Sequence, residues 1–324
     1  MITLSNNHRF EYMVASGALA YDGRGWPWEW PLRWVGLLDP SYFTIVTKSL
    51  TRLPRRGNLR WWNPCGVVRL LPGGVVNAVG LTNPGIDWWC ASIGPRVGKF
   101  SHKLIVSLHA ESAADFSAMA SLLTPFPIVG IELNFSCPNT SISGASVAPS
   151  SGKAAWSLPL SAPVALAPWG GEPSLQAMAD TDRVCATVAA VRAATHHPLI
   201  IKLAVTHDYA AIARQTQGQA SAIAINSVPW ALVHPGQPSP LAHFGGGGVS
   251  GRIAQSHTWR MLQELVENTS TPIIGPSVWE FDDLARLRRL GAAAISFGSI
   301  FLRYPWRPTQ FVRREQRERS CATR

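Results

Sequence analysis

Lysines, side-chain amides, a hydroxyl and a thiol stand at or just beyond the ends of four short apolar runs in this chain. Lys48 closes Phe43–Lys48, Asn134 lies in Ile131–Phe135 with Cys137 shortly after it, Lys202 lies in Ile200–Leu203, and Asn226-Ser227 follow Ala222. Asparagine donates and accepts at once, which matches imide or urea-like groups. Lysine supplies fixed positive charge beside a carboxylate or a reduced cofactor. With no paired carboxylates and no histidine-rich cluster among them, these residues suit a planar neutral-polar or anionic ligand better than hydrolysis. Singly each is weak, since a strand-end asparagine is most often a turn residue. Glycines add a second signal: Gly245–Gly248, Gly275 and Gly298-Ser299 follow later apolar runs. Backbone N–H groups in such turns cradle phosphate, although a glycine run read without its position is equally a flexible linker.

The elements that would position these groups are short and buried. Eight apolar, β-branched runs recur: Met13–Ser16, Phe43–Lys48, Leu104–Leu108, Ile131–Phe135, Ile200–Leu203, Ala222–Asn226, Pro272–Ile274 and Ala293–Gly298. Continuous runs of this length suit strands covered on both faces, as in a parallel sheet. Helical patterns lie between several of them. Asp182–Thr195 sets Val184, Val188 and Val191 on one stripe with Thr181 as its N-cap. Trp279–Leu290 carries Asp282 and Asp283 early, Arg286, Arg288 and Arg289 late, and Gly291 as its C-cap. The alternation predicts an α/β fold, and the strand count a closed (β/α)8 TIM barrel with its site at the strands' C-terminal ends. Periodicity alone leaves a doubly wound sheet open. Two segments break the repeat. The tryptophan- and proline-rich Gly25–Trp34 reads as a loop over one barrel face. Ser141–Ala179 reads as a long irregular insertion after the fourth strand, in the position of a lid.

With 324 residues, 46% hydrophobic and 15% charged, the chain is globular and long enough for one large barrel. Its polar start predicts no secretory signal, and no apolar stretch reaches the roughly 18 residues of a membrane span. The five cysteines are scattered without Cys-x-x-Cys spacing, which argues against a metal site, an iron–sulfur cluster or a disulfide framework. A cytoplasmic setting is expected. Half of the net charge of +10 falls between Arg303 and Arg324. Residues 304–324 are therefore expected to be a basic tail after a barrel of residues 1–303, with nucleic acid an unneeded explanation.

At this point the motifs resemble, in order and over nearly the whole chain, those of the dihydroorotate dehydrogenase family. Ala15-Ser16-Gly17 resembles its first flavin-contacting turn, and Lys48-Ser49-Leu50-Thr51 with Gly57-Asn58 its lysine-bearing strand end. Asn77–Gly85 is similar to its Asn-x-x-Gly-Leu-x-Asn-x-Gly segment. Glu132-Leu133-Asn134-Phe135-Ser136-Cys137-Pro138-Asn139 resembles its most specific signature. Ile201-Lys202-Leu203, Asn226-Ser227 and Phe244–Gly248 follow in the expected order.

The resemblance implies an FMN enzyme that oxidises (S)-dihydroorotate to orotate in pyrimidine synthesis. Lys48, Asn77, Asn134, Asn139, Asn226 and Ser227 would hold the substrate. Ala15, Ser16, Lys48, Asn134 and Lys202 would contact the flavin, and Gly246, Gly247, Gly275, Gly298 and Ser299 its phosphate. Cys137 would be the base, and cysteine there resembles the soluble branch, which lacks a membrane-binding N-terminal extension. That branch contains homodimers using fumarate and others paired with an iron–sulfur flavoprotein subunit serving NAD. One departure stands out: Gly275-Pro276-Ser277-Val278-Trp279 replaces the family's Gly-Gly phosphate turn, leaving Ser277 as a substitute donor. A weaker resemblance is to tRNA-dihydrouridine synthases, which append a helical RNA-binding domain. A flavin-binding relic without activity is the third reading.

Overall fold

The computed structural model describes residues 1–60, 62–63, 66–135 and 175–322, with side chains of the last stretch described over 180–321. Eight parallel strands close into a barrel: β1 Tyr12–Val14, β2 Thr44–Val46, β3 Lys103–Leu108, β4 Gly130–Asn134, β5 Leu199–Leu203, β6 Ala222–Ile225, β7 Ile273–Gly275 and β8 Ala294–Phe297. Each overlaps one of the eight apolar runs. They neighbour one another in chain order, and β8 pairs back onto β1 from Ile295↔Tyr12 to Phe297↔Val14. Closure excludes the doubly wound sheet.

Side chains alternate between the two faces of a strand, and here that alternation separates two cores. On β3, Leu104, Val106 and Leu108 pack outward with the helices, while Ile105 packs inward. On β5, Leu199, Ile201 and Leu203 face outward and Ile200 inward. The barrel's lower end is plugged by the hairpin Ile2–Thr3/Arg9–Phe10, whose Ile2, Leu4 and Phe10 join Met13, Val46, Ile105 and Ile200. Burying each such side chain is worth about 1.5–3 kcal/mol. One inward position further up, the chemistry changes: Ser107 follows Ile105, Lys202 follows Ile200, and β4 offers Glu132 and Asn134, all buried. The same two-residue period therefore builds an apolar floor and a polar mouth.

A second sheet was not legible in the sequence. Val228–Pro229, Gly248–Gly251, Gly74–Asn77 and Val68–Leu71 form four antiparallel strands in that order. It joins the connection after β2 to that after β6, on the mouth side of the barrel.

Several boundaries differ from expectation. The first predicted helix is observed as Leu175–Ala194, so Thr181 lies inside it rather than capping it. Its start also falls within the expected irregular stretch 141–179, of which 141–174 lies outside the described residues. The second is Asp283–Arg289, shorter than Trp279–Leu290, because the Asp283 carboxylate accepts from the N–H groups of Trp279 and Glu280 and holds those residues in a preceding turn. Gly291 takes the left-handed φ of +92° expected of a C-cap. Gly25–Trp34 is not wholly loop: Pro27–Glu29 is a 3-10 turn and Trp30–Trp34 a short helix. Its anchor is Glu29, which accepts from Trp26 N–H at 2.7 Å and whose burial pushes its carboxyl up to about 7.

The basic C-terminal segment is a helix, Arg307–Ala322, tied to the barrel. Glu315 accepts from the Tyr12 hydroxyl at 2.5 Å and from Arg288 at 2.8 Å, and Arg319 bridges Glu11 and Glu315. Burial opposes ionisation of Glu315, but bonds from Arg288 and Tyr12 and the charges of Arg288 and Arg319 outweigh it and hold its pKa below the ordinary value. Glu315→Ala is expected to cost about 1–3 kcal/mol near neutrality. A depressed carboxylate contributes fully above its unfolded pKa and loses that contribution as pH falls through the folded one. Urea unfolding should thus show the gap between Glu315→Ala and the parent closing below about pH 4.

Candidate active site

Three groups of the residues singled out from sequence come together at the mouth. The first is a sector around β1, β2 and β8. Ala15 N–H donates to Phe297 O at 2.8 Å, and a Cβ on Gly298 would lie 3.3 Å from that of Ala15. Ser16 donates to Thr47 O at 2.9 Å, and Gly17 takes a left-handed φ of +84° beside the stem of Lys48. Ser299 stands at the head of the short helix Ile300–Arg303.

The second group lies on β4 and β5. Asn134 and Lys202 are in register as neighbours, both facing inward and both 8% exposed. Asn134 donates an amide N–H to Ser49 Oγ at 3.0 Å. Burial, and then the charge of Lys202, push the Lys48 ammonium down to about 8. Two lysines that oppose each other's charge mark the mouth as a place where an anion would be stabilised.

The third group is held by the antiparallel sheet. Asn77 pairs with Gly248 and donates to its carbonyl at 3.4 Å. A Cβ on Gly247, whose φ is +82°, would sit 2.7 Å from Asn77 O, and one on Gly248 would sit 2.4 Å from Ser227 Oγ. Asn226 N–H donates to Leu203 O, joining this group to β5. Gly247 and Gly248 thus stand beside Asn77 and Ser227, in a close approach that only glycine permits, while Gly246 takes a left-handed φ of +94° beside Trp230 and Ser239. The separate motif pieces Gly57-Asn58 and Asn77–Gly85 also pack on each other: Asn58 donates to Ala78 O at 2.8 Å, and Thr82 Oγ1 occupies the space a Cβ on Gly57 would need.

Gly275 has a packing reason of its own, since a Cβ there would meet Ala292 at 2.9 Å and Leu287 at 3.0 Å. The departure at 275–279 is a built turn. Ser277 adopts a left-handed φ of 65°, its hydroxyl lies 3.1 Å from that of Thr258, and Trp259 donates to Pro276 O. The Ser277 hydroxyl thus accepts from Thr258 on the helix Gln255–Asn268. Cys137 and Asn139 lie outside the described residues.

Residues to which the sequence motifs assigned no role complete the floor of the mouth. Ser49, Ser107 and Glu132 are buried and hydrogen-bonded in series: 2.8 Å separates the two hydroxyls, and Ser107 donates to Glu132 Oε1 at 2.8 Å. His109, also buried, bonds through Nδ1 to Asn134 O at 2.8 Å, and among the described residues its Nε2 has no partner. Burial lowers its pKa, with the Asn134 bond opposing, so the ring is neutral near pH 7. A polar residue two positions from Asn134 on an apolar strand was the available signal for Glu132.

A parallel eight-stranded barrel whose mouth gathers two lysines, several amides and glycine-lined backbone defines a barrel enzyme for a planar, partly anionic ligand. The family model for dihydroorotate dehydrogenase matches residues 36–304, and the chain belongs to that family, whose members bind flavin. It is similar to proteins named dihydroorotate dehydrogenase B (NAD(+)), catalytic subunit. That of Desulforudis audaxviator is 29% identical over 267 residues, covering 81% of this chain and 75% of the relative. That of Pelobacter propionicus is 27% identical over 294 residues, covering 89% and 82%. That of Geobacillus kaustophilus is 27% identical over 261 residues, covering 79% and 72%. No helix among the described residues is long and apolar enough to cross a membrane.

Proposed function

We propose that this protein oxidises (S)-dihydroorotate to orotate at an FMN held in the barrel mouth, in pyrimidine synthesis. The observation that carries the reading is the convergence of Asn77, Ser227 and Gly248 on one side with the Asn134–Lys202 pair on the other. The donor set fits the cofactor: Lys202 would lie by the N1–O2 edge, and Ala15, Ser16, Lys48 and Asn134 around the ring. Backbone of Gly246, Gly247, Gly275, Gly298 and Ser299 would hold its phosphate. When bound, FMN would supply the hydride acceptor for oxidation of the substrate's C5–C6 bond. Asn77, Asn134, Asn139, Asn226 and Ser227 orient the dihydropyrimidine, Lys48 balances its carboxylate, and Cys137 takes the proton from C5.

Residues 1–303 form the FMN barrel in this reading, and the enzyme works in the cytoplasm. The relatives are named as catalytic subunits. We therefore read the chain as a homodimer that passes electrons to an iron–sulfur flavoprotein subunit serving NAD, with direct use of fumarate as the alternative acceptor. Protein loaded with FMN should be yellow and should bleach anaerobically on addition of dihydroorotate. Colourless protein after loading, or flavin indifferent to dihydroorotate, would end this reading.

A further inference from the structure

The geometry points to Glu132 as a positioning residue that sets, through Ser107 and Ser49, which end of the Asn134 amide is turned toward the ligand. The inference concerns how the site is oriented, and rests on the reading of Asn134 as part of the substrate clamp. A hydroxyl has one proton to donate and lone pairs to accept with, whereas a carboxylate only accepts. Ser107 donates to Glu132 Oε1 at 2.8 Å, so its proton is used. The contact between Ser107 and Ser49, also 2.8 Å, must then be Ser49 donating. With its own proton committed, Ser49 can only accept from its remaining neighbours. Asn134 must therefore meet it, at 3.0 Å, with the NH2 end of the amide. Ser16, 3.1 Å away on the other side, can only share with Ser49 the proton it gives to Thr47 O.

The amide oxygen lies at the other end of the planar group, away from Ser49, and its two lone pairs let it accept from a ring N–H beside any protein partner it has. Reversing the chain would turn a donor to that N–H instead. The links from Glu132 to Asn134 are all buried, Glu132 being 1% and Ser107 0% exposed. Water therefore does not compete for these bonds, and an unmatched group would be costly. Glu132 touches neither substrate nor flavin in this account; it acts through the chain.

The test uses the FMN-loaded enzyme and two readouts. The first needs no substrate: with 15N-labelled asparagine, the Asn134 side-chain NH2 signal should be shifted and slow to exchange in the parent. Both properties should be lost in Ser107→Ala and Glu132→Leu. Glu132→Gln, whose amide oxygen still accepts from Ser107, should retain them. The second is orotate binding, followed by the visible spectrum of the flavin. Its Kd, and the KM for dihydroorotate, should rise about tenfold in Ser107→Ala and Glu132→Leu. Glu132→Gln should stay within about threefold, with kcat and flavin content little changed throughout. An unaltered Asn134 signal in both disrupting variants overturns the inference, as does a rise in Kd for Glu132→Gln as large as for Glu132→Leu. Should Ser107→Ala fail to hold FMN, the Glu132 pair decides alone. An intact Asn134 signal in a parent that ignores orotate would instead count against the proposed substrate and leave the chain standing.

Discussion

Lys202→Met is expected to slow flavin reduction by dihydroorotate about a hundredfold and to move the pH at which orotate is released. Lys202 faces into the barrel beside Asn134 and is almost wholly covered. A charge aimed at a developing anion from a site that excludes water is worth far more than the same charge in solvent. Losing one such donor typically costs about 10²–10³ in rate. The pH effect follows from its neighbour. Lys48 is pushed down to about 8 by burial and by Lys202. Lysine is cationic below its pKa, so an anionic ligand binds best below about 8 and is lost as pH rises through that value. Without Lys202 the repulsion disappears and burial alone remains, so the Lys48 pKa climbs part of the way toward its ordinary 10.5. Linkage gives the matching sign for folding: between the folded and unfolded pKa the unfolded chain binds the extra proton, so stability rises with pH there. Orotate titrations from about pH 6.5 to 10 should show the loss of binding displaced upward in Lys202→Met. An identical midpoint in both proteins would remove Lys48 and Lys202 from a shared electrostatic site.

How much of this was readable in the sequence depends on where each interaction is local. The eight barrel strands were, because runs of apolar and β-branched residues suit strands covered on both faces, and each run recurs after a helical pattern or a connection. The second sheet was not. Gly74–Asn77 and Gly248–Gly251 are short, glycine-bearing and far apart in the chain, and only their pairing with each other makes them strands. The N-cap assigned to Thr181 failed because the apolar stripe begins at Val184, while the helix itself continues backward to Leu175. Strand-end positions singled out Lys48, Asn134, Lys202 and Asn226, which the fold brings to the barrel mouth. The hydroxyl chain below them was missed because serines on β3 and after β2 carry no local mark of being inward. Gly275 shows the opposite error in weight. It was read for phosphate alone, whereas the proximity of Leu287 and Ala292 already requires a residue without a side chain there.

Cys137→Ser should hold FMN as the parent does yet be reduced by dihydroorotate about 10²–10⁴ times more slowly near neutrality. The assignment of Cys137 as base rests on the motif it shares with the family, and the barrel supplies the physical reason a thiol would serve. An ordinary thiol, near pKa ~8.5, is partly ionised at working pH, and fixed cations at the mouth would lower it further. A serine hydroxyl keeps its proton over that whole range. In the proposed mechanism two titrations would shape the parent's kcat/KM: a rise with pH as Cys137 ionises, and a fall above about 8 as Lys48, proposed to balance the substrate carboxylate, loses its charge. The serine variant should lose the rising limb and keep the falling one, since Lys48 is untouched. In Lys202→Met the falling limb should move upward. Anaerobic stopped-flow reduction of the three proteins across that pH range separates these limbs. If Cys137→Ser is reduced within a few-fold of the parent rate, proton removal from C5 belongs to another group, and the neutral His109, whose Nε2 has no described partner, becomes the first to examine.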